Sequence, residues 1–432
     1  MLQFQDTPYW HIDITKPTFD VPAIPRLVDV VIIGSGLTGL VIALHLLRGG
    51  RSVAIFDAMN IGDGASGKNG GMVGPSLHKL GLEGLTNKYG NKKAMAILQE
   101  GMNAIDYFKS FIIRETIECD LEMTGRFRGA TTQKAVEKII RDSEKLTDLK
   151  GFRFDVINKH DIPSEIGSNL YQGGVVYHQD GGLHPFKLLC ELVKKVVSNG
   201  GLIFEKTLVG GTYQTPNGIK VETDKGALIA RDVVVASNGY TKKFAPGIRQ
   251  YISKRLLPIT SAMIASEQLS SDTIDGMFPN KRMHGGNHRL VQYYRASPDH
   301  TRVLFGARGI DTYDRALQNG KVLKKHLCKI FPELQNVRIE YSWSGKVAYT
   351  FDHSPHLGKW DGVYYAMGYC GSGVTRSVYL AYKLANRILG LDDYRTAFDD
   401  LPFESRPFYT GTPWFMPMVL KWHSFLDHIE GN

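Results

Sequence analysis

A chain of 432 residues, 43% of them hydrophobic and 10% aromatic, holds enough apolar material for a large core and is not a disordered polymer. Its 52 basic and 43 acidic residues leave a formal charge of +9 with no long basic run, which argues against a nucleic-acid stripe and fits a field that draws in a small anionic substrate. Four scattered cysteines without CxxC or metal-ligand spacing, no apolar run near the roughly 18 residues of a membrane span, and no secretory signal in residues 1–25 imply a cytoplasmic chain with reduced thiols and no metal.

Residues 1–23 read as an arm lying on the body. The first strong element is Val28-Asp29-Val30-Val31-Ile32-Ile33, an apolar strand that runs into Gly34-Ser35-Gly36-Leu37-Thr38-Gly39. Gly34 allows the sharp strand-to-helix turn, Gly36 lets the backbone approach a pyrophosphate, and Gly39 lets the next helix, residues 37–48, pack close to the sheet. The N-terminus of that helix offers free N–H groups and the positive end of its dipole to phosphates. A second strand, residues 52–56, ends at Asp57, where an acid accepts from ribose hydroxyls. Together these residues predict a site for an ADP-containing dinucleotide. The glycine-rich run at 62–74 follows Asp57 after only four residues, where a nicotinamide enzyme would continue with another βα unit. Its main-chain N–H groups suit an anion or a planar ring, with Ser66 and Asn69 adding polar contacts.

Residues 87–148 carry apolar positions at helical spacing. A helix at 185–199 and strands at 202–204, 218–223 and 232–236 return to the nucleotide sheet. Between 254 and 340 alternation dominates, at 261–265, 290–294 and 303–307, which predicts antiparallel strands. A strand at 363–366 and a helix at 374–389 complete the nucleotide part. Residues 392–432 form a tail rich in Pro, Phe and Trp, read as an arm packed on its own protein or on a partner rather than on a membrane.

The fingerprint and the run Ala65-Ser66-Gly67-Lys68-Asn69-Gly70-Gly71-Met72 resemble the FAD-dependent amine and amino-acid oxidoreductases of the D-amino-acid oxidase and sarcosine oxidase type, in particular their γ-glutamylputrescine oxidase-like branch. That branch has an arginine where Lys68 stands, a change that keeps the charge and removes the bidentate fork. The resemblance continues in family order over residues 28–390, through Asp180-Gly181-Gly182-Leu183-His184-Pro185, Ser237-Asn238-Gly239-Tyr240, Leu304-Phe305-Gly306-Ala307-Arg308, Trp343-Ser344-Gly345 and Gly371-Ser372-Gly373-Val374.

This resemblance implies an α/β fold, a Rossmann-type FAD-binding domain interleaved with an antiparallel-sheet substrate-binding domain. The implied FAD-binding domain comprises 24–85, 150–245 and 341–391, the substrate-binding domain 86–149 and 246–340, and the aromatic tail 392–432. FAD is expected on Gly34, Gly36, Leu37, Thr38, Gly39 and Asp57, on residues 65–72, on Val209 at the adenine, and on Ser237, Asn238, Gly239, Gly345, Gly371, Ser372, Gly373, Val374 and Thr375. Family members with covalent flavin carry a cysteine where Val347 stands, so the FAD is expected to be non-covalent. Sarcosine oxidases of that pattern carry a lysine, used in the reaction with oxygen, where Leu304 stands.

Tyr294 and Arg308 match substrate-contacting positions, and Tyr349 and Thr350 match residues near the flavin ring. Lys68 is left open between flavin, pyrophosphate and substrate; with Tyr294 and Arg308 it completes the candidate catalytic set. A flavin accepts the hydride itself, so the protein has only to bind, orient and supply electrostatics. The implied reaction oxidises the C–N bond of an amine or an N-substituted amino acid, the imine hydrolyses to an aldehyde or keto product, and O2 takes the electrons to give H2O2. Electron transfer to a quinone or a protein carrier is the alternative, and a non-enzymatic flavin-bearing scaffold is disfavoured by the Tyr294/Arg308 pair.

Overall fold

The computed structural model describes residues 5–243, 248–286, 291–308, 316–416, 418–419 and 422. Strand Leu27–Ile33 is buried along most of its length and pairs in parallel with Val53–Phe56 on one side and Gly226–Val235 on the other. Strands Leu202–Phe204 and Val363–Met367 extend the parallel stack at its two ends. Parallel strands need crossovers, and helix Leu37–Arg48 supplies the first. It packs against the last helix, Gly373–Leu389, with Leu40, Leu44, Leu380 and Leu384 fully or nearly fully buried in one core. A Cβ at Gly39 would overlap the carbonyl oxygen of Gly34. The helix therefore approaches the turn as closely as a glycine permits.

A second, mostly antiparallel sheet runs in the order Ile339–Thr350, Leu256–Ser266, Val303–Arg308, Gln292–Ala296, Met283–Gly285, Arg126–Ala130, Gly173–Tyr177 and Phe154–Ile157. Side chains alternate across it. Phe127, Ile264, Tyr294, Phe305 and Ala307 form one core with helix Ala316–Ile330, while Met263, Leu304 and Trp343 turn to the core shared with the nucleotide part.

Three of the expected domain assignments change. Strands Phe154–Ile157 and Gly173–Tyr177, expected with the nucleotide part in 150–245, belong to the second sheet. Residues 341–350, also expected there, form most of the strand that pairs along the whole length of Leu256–Ser266. Gly173–Tyr177 is buried at every position and so has no alternation that would tell one sheet from another. Only long-range pairing decides its place. Helix Asn91–Arg114, expected with the substrate part, packs on the last helix of the nucleotide part, where the Tyr379 hydroxyl donates to Glu100 Oε1 at 2.8 Å.

The N-terminal arm lies on the body, with Trp10 fully buried. In the tail, Phe398, Leu401 and Tyr409 are buried, whereas Phe408, Trp414, Met418 and Trp422 are exposed; residues 420–421 and 423–432 of the expected aromatic stripe lie outside the described residues. No described helix is long and apolar enough to cross a membrane.

Candidate active site

A cavity of about 1260 Å³ opens where the parallel strands end against the second sheet. Its nucleotide end is built by the fingerprint. Gly34 has φ +110°, a conformation that favours glycine, at the point where the strand turns into the helix. Gly36 lines the cavity, and a Cβ there would meet only the Ser66 side chain, 2.8 Å from its Oγ. Asp57 is fixed from two sides: Ser35 N and Oγ donate to Oδ2 at 2.8 and 2.7 Å, and Met59 N donates to Oδ1 at 2.9 Å. A carboxylate has about four acceptor positions, so one remains for ribose. Val209 lines the same end, beside Thr207 and Leu208.

The loop after Asp57 forms one wall. Ser66 Oγ accepts from Leu37 N at 3.0 Å and ties the loop to the helix N-terminus. The Asn69 side chain donates to Ala65 O and Ser66 O and accepts from Gly71 N, so it folds the loop. Two indoles hold the loop carbonyls: Trp343 Nε1 donates to Lys68 O at 2.9 Å and Trp10 Nε1 to Asn69 O at 2.7 Å. Leu37, Thr38, Ala65, Lys68, Gly70 and Met72 reach the cavity, as do Ser237, Asn238, Gly239 and Gly345 opposite them. Asn238 Oδ1 accepts from Gly368 N at 3.0 Å and joins the ends of two parallel strands. Gly371, Ser372, Gly373, Val374 and Thr375 bring the N-terminus of the last helix to the cavity.

Gly39, Gly67 and Gly71 do not line the cavity, contrary to expectation. Added Cβ atoms at these positions would run into the carbonyl oxygens of Gly34, Gly62 and Leu183. These glycines are needed for backbone packing beneath the site.

The arrangement fits a dinucleotide on two observations. Gly36 leaves a bare stretch of backbone at a helix N-terminus. Arg376, buried and lining the cavity, has an Nε without a hydrogen-bond partner among the described residues, while its Nη2 donates to Ser76 O at 2.8 Å. A buried guanidinium N–H of this kind suits an acceptor on a bound ligand. Nothing in the periodicity of 373–389 distinguishes Arg376 from a surface charge, so it was not among the expected residues.

On the second sheet, Arg308 faces the cavity. Its Nη1 donates to Tyr349 Oη at 2.7 Å and its Nη2 to Gly371 O at 3.0 Å. Among the described residues no carboxylate pairs with it. Tyr349 thus stands behind Arg308 and holds it, instead of lining the cavity. Thr350 is buried, and its hydroxyl donates to Ser354 O at 2.8 Å, closing a turn. Neither residue contacts the space expected for substrate.

Tyr294 is also corrected. It points to the opposite face of its strand, stacks on His284 and Phe305, and shares a hydrogen bond with Tyr171. Burial pushes its hydroxyl well above the usual tyrosine range. Its neighbour Tyr293 is the cavity residue, 3.0 Å from Ser261 Oγ and lying across Gly306. Two adjacent tyrosines leave the parity of a strand ambiguous in sequence. The pairing Tyr293↔Gly306 settles it, because Gly306 and Arg308 share a face.

His78 lines the cavity beside this turn. Its Nδ1 accepts from Leu80 N at 3.2 Å and its Nε2 lies 3.1 Å from Ser354 Oγ. Burial, with the nearby Arg376 charge, brings its pKa down to about 3, so the ring is neutral and Nε2 carries the proton. Asp352 braces the same turn: Oδ1 accepts from Ser354 N and lies 3.1 Å from His356 Nε2. Burial alone would raise its carboxyl, but the contacts with His356, Thr350 and Ser354 together outweigh it and hold the pKa at about 2, below 3.8. A depressed carboxylate stabilises the fold above its unfolded pKa and loses that contribution as pH falls through the folded value. Asp352→Asn is therefore expected to cost about 1–3 kcal/mol at neutral pH. In urea titrations, the gap to wild type should be full above about pH 4 and should close towards about pH 2. An unchanged gap at both ends would refute this account of the turn.

The family model described as FAD dependent oxidoreductase matches residues 29–387. Gamma-glutamylputrescine oxidoreductase of Escherichia coli is 30% identical over 381 residues, 87% of this chain and 86% of its own. The probable oxidoreductase OrdL of Haemophilus influenzae is 29% identical over 92% of this chain and 91% of its own. Among solved structures, glycine oxidase from Geobacillus kaustophilus superimposes with a TM-score of 0.73 at 20% identity, covering 89% of this chain and 99% of that one.

Proposed function

The chain belongs to the family of FAD-dependent oxidoreductases, and from that premise we propose that it oxidises the C–N bond of a small amine or amino acid carrying an anionic group. The observation that carries this reading is Arg308, a cavity-facing guanidinium held, among the described residues, by the neutral acceptors of Tyr349 and Gly371. A cation withdrawn from water in this way calls for an anion. A substrate carboxylate supplies one, and the planar fork fixes its angle.

FAD would supply the hydride acceptor when bound, and Gly36, Asp57, Ala65, Ser66, Lys68, Asn69, Gly70, Met72 and the N-terminus of the last helix would hold it. The protein's own residues bind and orient. Tyr293 and Ser261 shape the wall beside Arg308, and neutral His78 adds a polar group without a charge. No protein nucleophile is required. The resulting imine hydrolyses in water to an aldehyde or keto product. Non-covalent FAD is supported by Val347 at the linkage position and by Cys370, whose Sγ lies 3.1 Å from Gly368 O. The branch assignment, to enzymes like gamma-glutamylputrescine oxidoreductase, rests on the resemblance of the glycine-rich run and the 30% identity.

We take oxygen as the electron acceptor, with peroxide as product. A quinone or protein acceptor is the second reading, favoured by Leu304, which is fully buried where sarcosine oxidases carry a lysine. Lys68, in the cavity wall, is the cation we assign to oxygen activation. Lys68→Met is expected to slow reoxidation of the reduced enzyme by oxygen, followed by stopped-flow absorbance; an unchanged rate removes Lys68 from that role. The reaction class is tested by anaerobic bleaching of the flavin against amines, amino acids and N-alkyl amino acids. Bleaching by carboxylate-bearing amines, followed by stoichiometric peroxide in air, is the expected result. Absence of bleaching by every amine would overturn the proposal.

A further inference from the structure

The cavity extends beyond the region of Arg308, along the inner face of the second sheet. One row of residues crosses that face: Arg128 pairs with Gly285, Gly285 with Tyr293, and Tyr293 with Gly306. Tyr293 lies over Gly306 and towards Gly70, where a Cβ would come within 2.7 Å of its ring. Gly285 is left bare, since among the described residues a Cβ there would meet only Gln292 O at 3.5 Å. Between Tyr293 and Arg128 the sheet therefore has, among the described residues, a floor without side chains. Adjacent strands are about 4.8 Å apart, so the floor spans two steps, roughly 10 Å, and Arg128 stands three strands from Arg308, roughly 14 Å across the sheet.

The far end of this floor is positive. Arg126 and Arg128 are two residues apart and share the inner face, their neighbour Phe127 being in the outer core. Arg126 has a counter-charge, with Nε 3.3 Å from Asp180 Oδ1. Arg128 is partly buried and, among the described residues, has no hydrogen-bond or ion-pair partner. Helix Gln133–Glu144 lies over this end, and Lys138, Asp142 and Lys145 complete the rim. A partly buried arginine without an acceptor at the end of an empty floor has the chemistry of a carboxylate reader.

We propose that the floor over Gly285 takes the distal arm of an elongated amine, with a carboxylate at the far end of that arm bound by Arg128. This rests on the reading of Arg308 as the proximal anion site and extends it: the substrate class becomes amines with two anionic groups separated by a flexible chain. A monocarboxylate reaches only Arg308; a long diacid bridges both arginines and gains from their linkage.

The test uses the FAD-loaded enzyme and the dicarboxylates glutarate and suberate, with propionate as the short probe, followed by calorimetry and by the shift of the flavin spectrum. Suberate is expected to bind tighter than propionate. Arg128→Met should weaken suberate about ten- to hundredfold, the range for a charge-assisted hydrogen bond. Gly285→Val, which fills the floor by a route independent of charge, should weaken suberate similarly. Loss should be smaller for glutarate and confined to the diacids. The proposal is overturned if wild type does not prefer suberate, if neither variant weakens it, or if propionate loses equally. Because binding is read without turnover, an Arg128-dependent preference for suberate supports the floor even if no amine bleaches the flavin. Conversely, amine oxidation with no such preference leaves the function standing and removes the distal site.

Discussion

Gly36→Val is expected to give a folded, colourless protein. The backbone of Gly36 has φ −75°, which any residue adopts, so the substitution brings little strain of its own. Its new side chain meets the Ser66 Oγ and the space above the helix N-terminus, where a pyrophosphate would lie. Loading of FAD, measured from the ratio of visible to ultraviolet absorbance, should fall from about one per chain to near zero, with far-ultraviolet dichroism retained. Gly39→Ala should behave differently. Its Cβ would overlap the Gly34 carbonyl in the middle of the α–β contact, so lowered thermal stability should accompany the loss of cofactor. Retention of full colour in Gly36→Val would mean that the dinucleotide does not pass over this turn.

Arg308→Met is expected to raise the apparent substrate constant of carboxylate-bearing amines about ten- to hundredfold. Neutral amines of the same length should be little affected. Some loss in the rate of flavin reduction should follow, because the fork sets the angle at which the reacting C–H is presented. Arg308→Lys should recover part of the binding and little of the orientation. A point charge cannot serve the Tyr349 hydroxyl, the Gly371 carbonyl and a carboxylate together. Equal losses on charged and neutral substrates would make Arg308 a brace between the sheet and the last helix, and the anionic reading would fall.

What was legible in the sequence follows the range of the physics. The strand, turn, helix and acid of residues 27–57 are local, and each glycine has one steric reason to be there. The structure reproduces that unit, with Asp57 held by Ser35 and Met59. The second sheet was legible as alternation but not as register. A shift of one residue exchanges its faces: Tyr294, expected at the substrate from the resemblance, lies in the outer core, and Tyr293 faces the cavity. Arg308 ends its strand two residues beyond Gly306 and lines the cavity. Arg376, His78 and Arg128 could not be found from spacing. They come to the cavity from a helix, a loop and a strand, and only tertiary packing joins them.

The two indoles that grip Lys68 O and Asn69 O come from opposite ends of the chain's fold, Trp10 from the arm and Trp343 from the second sheet. With the Asn69 amide folding the same segment from within, the glycine-rich run stands preorganised before any ligand arrives. A glycine-rich segment left free would demand about 1–2 kcal/mol of backbone entropy for each residue frozen on binding. Here that ordering is completed during folding, so a ligand's contacts with the cavity-lining residues of this run are spent on affinity alone. Conformational freedom in the N-terminal arm and cofactor retention thus become one thermodynamic quantity: a change that releases Trp10 returns disorder to the loop and weakens binding at a distance from the arm itself.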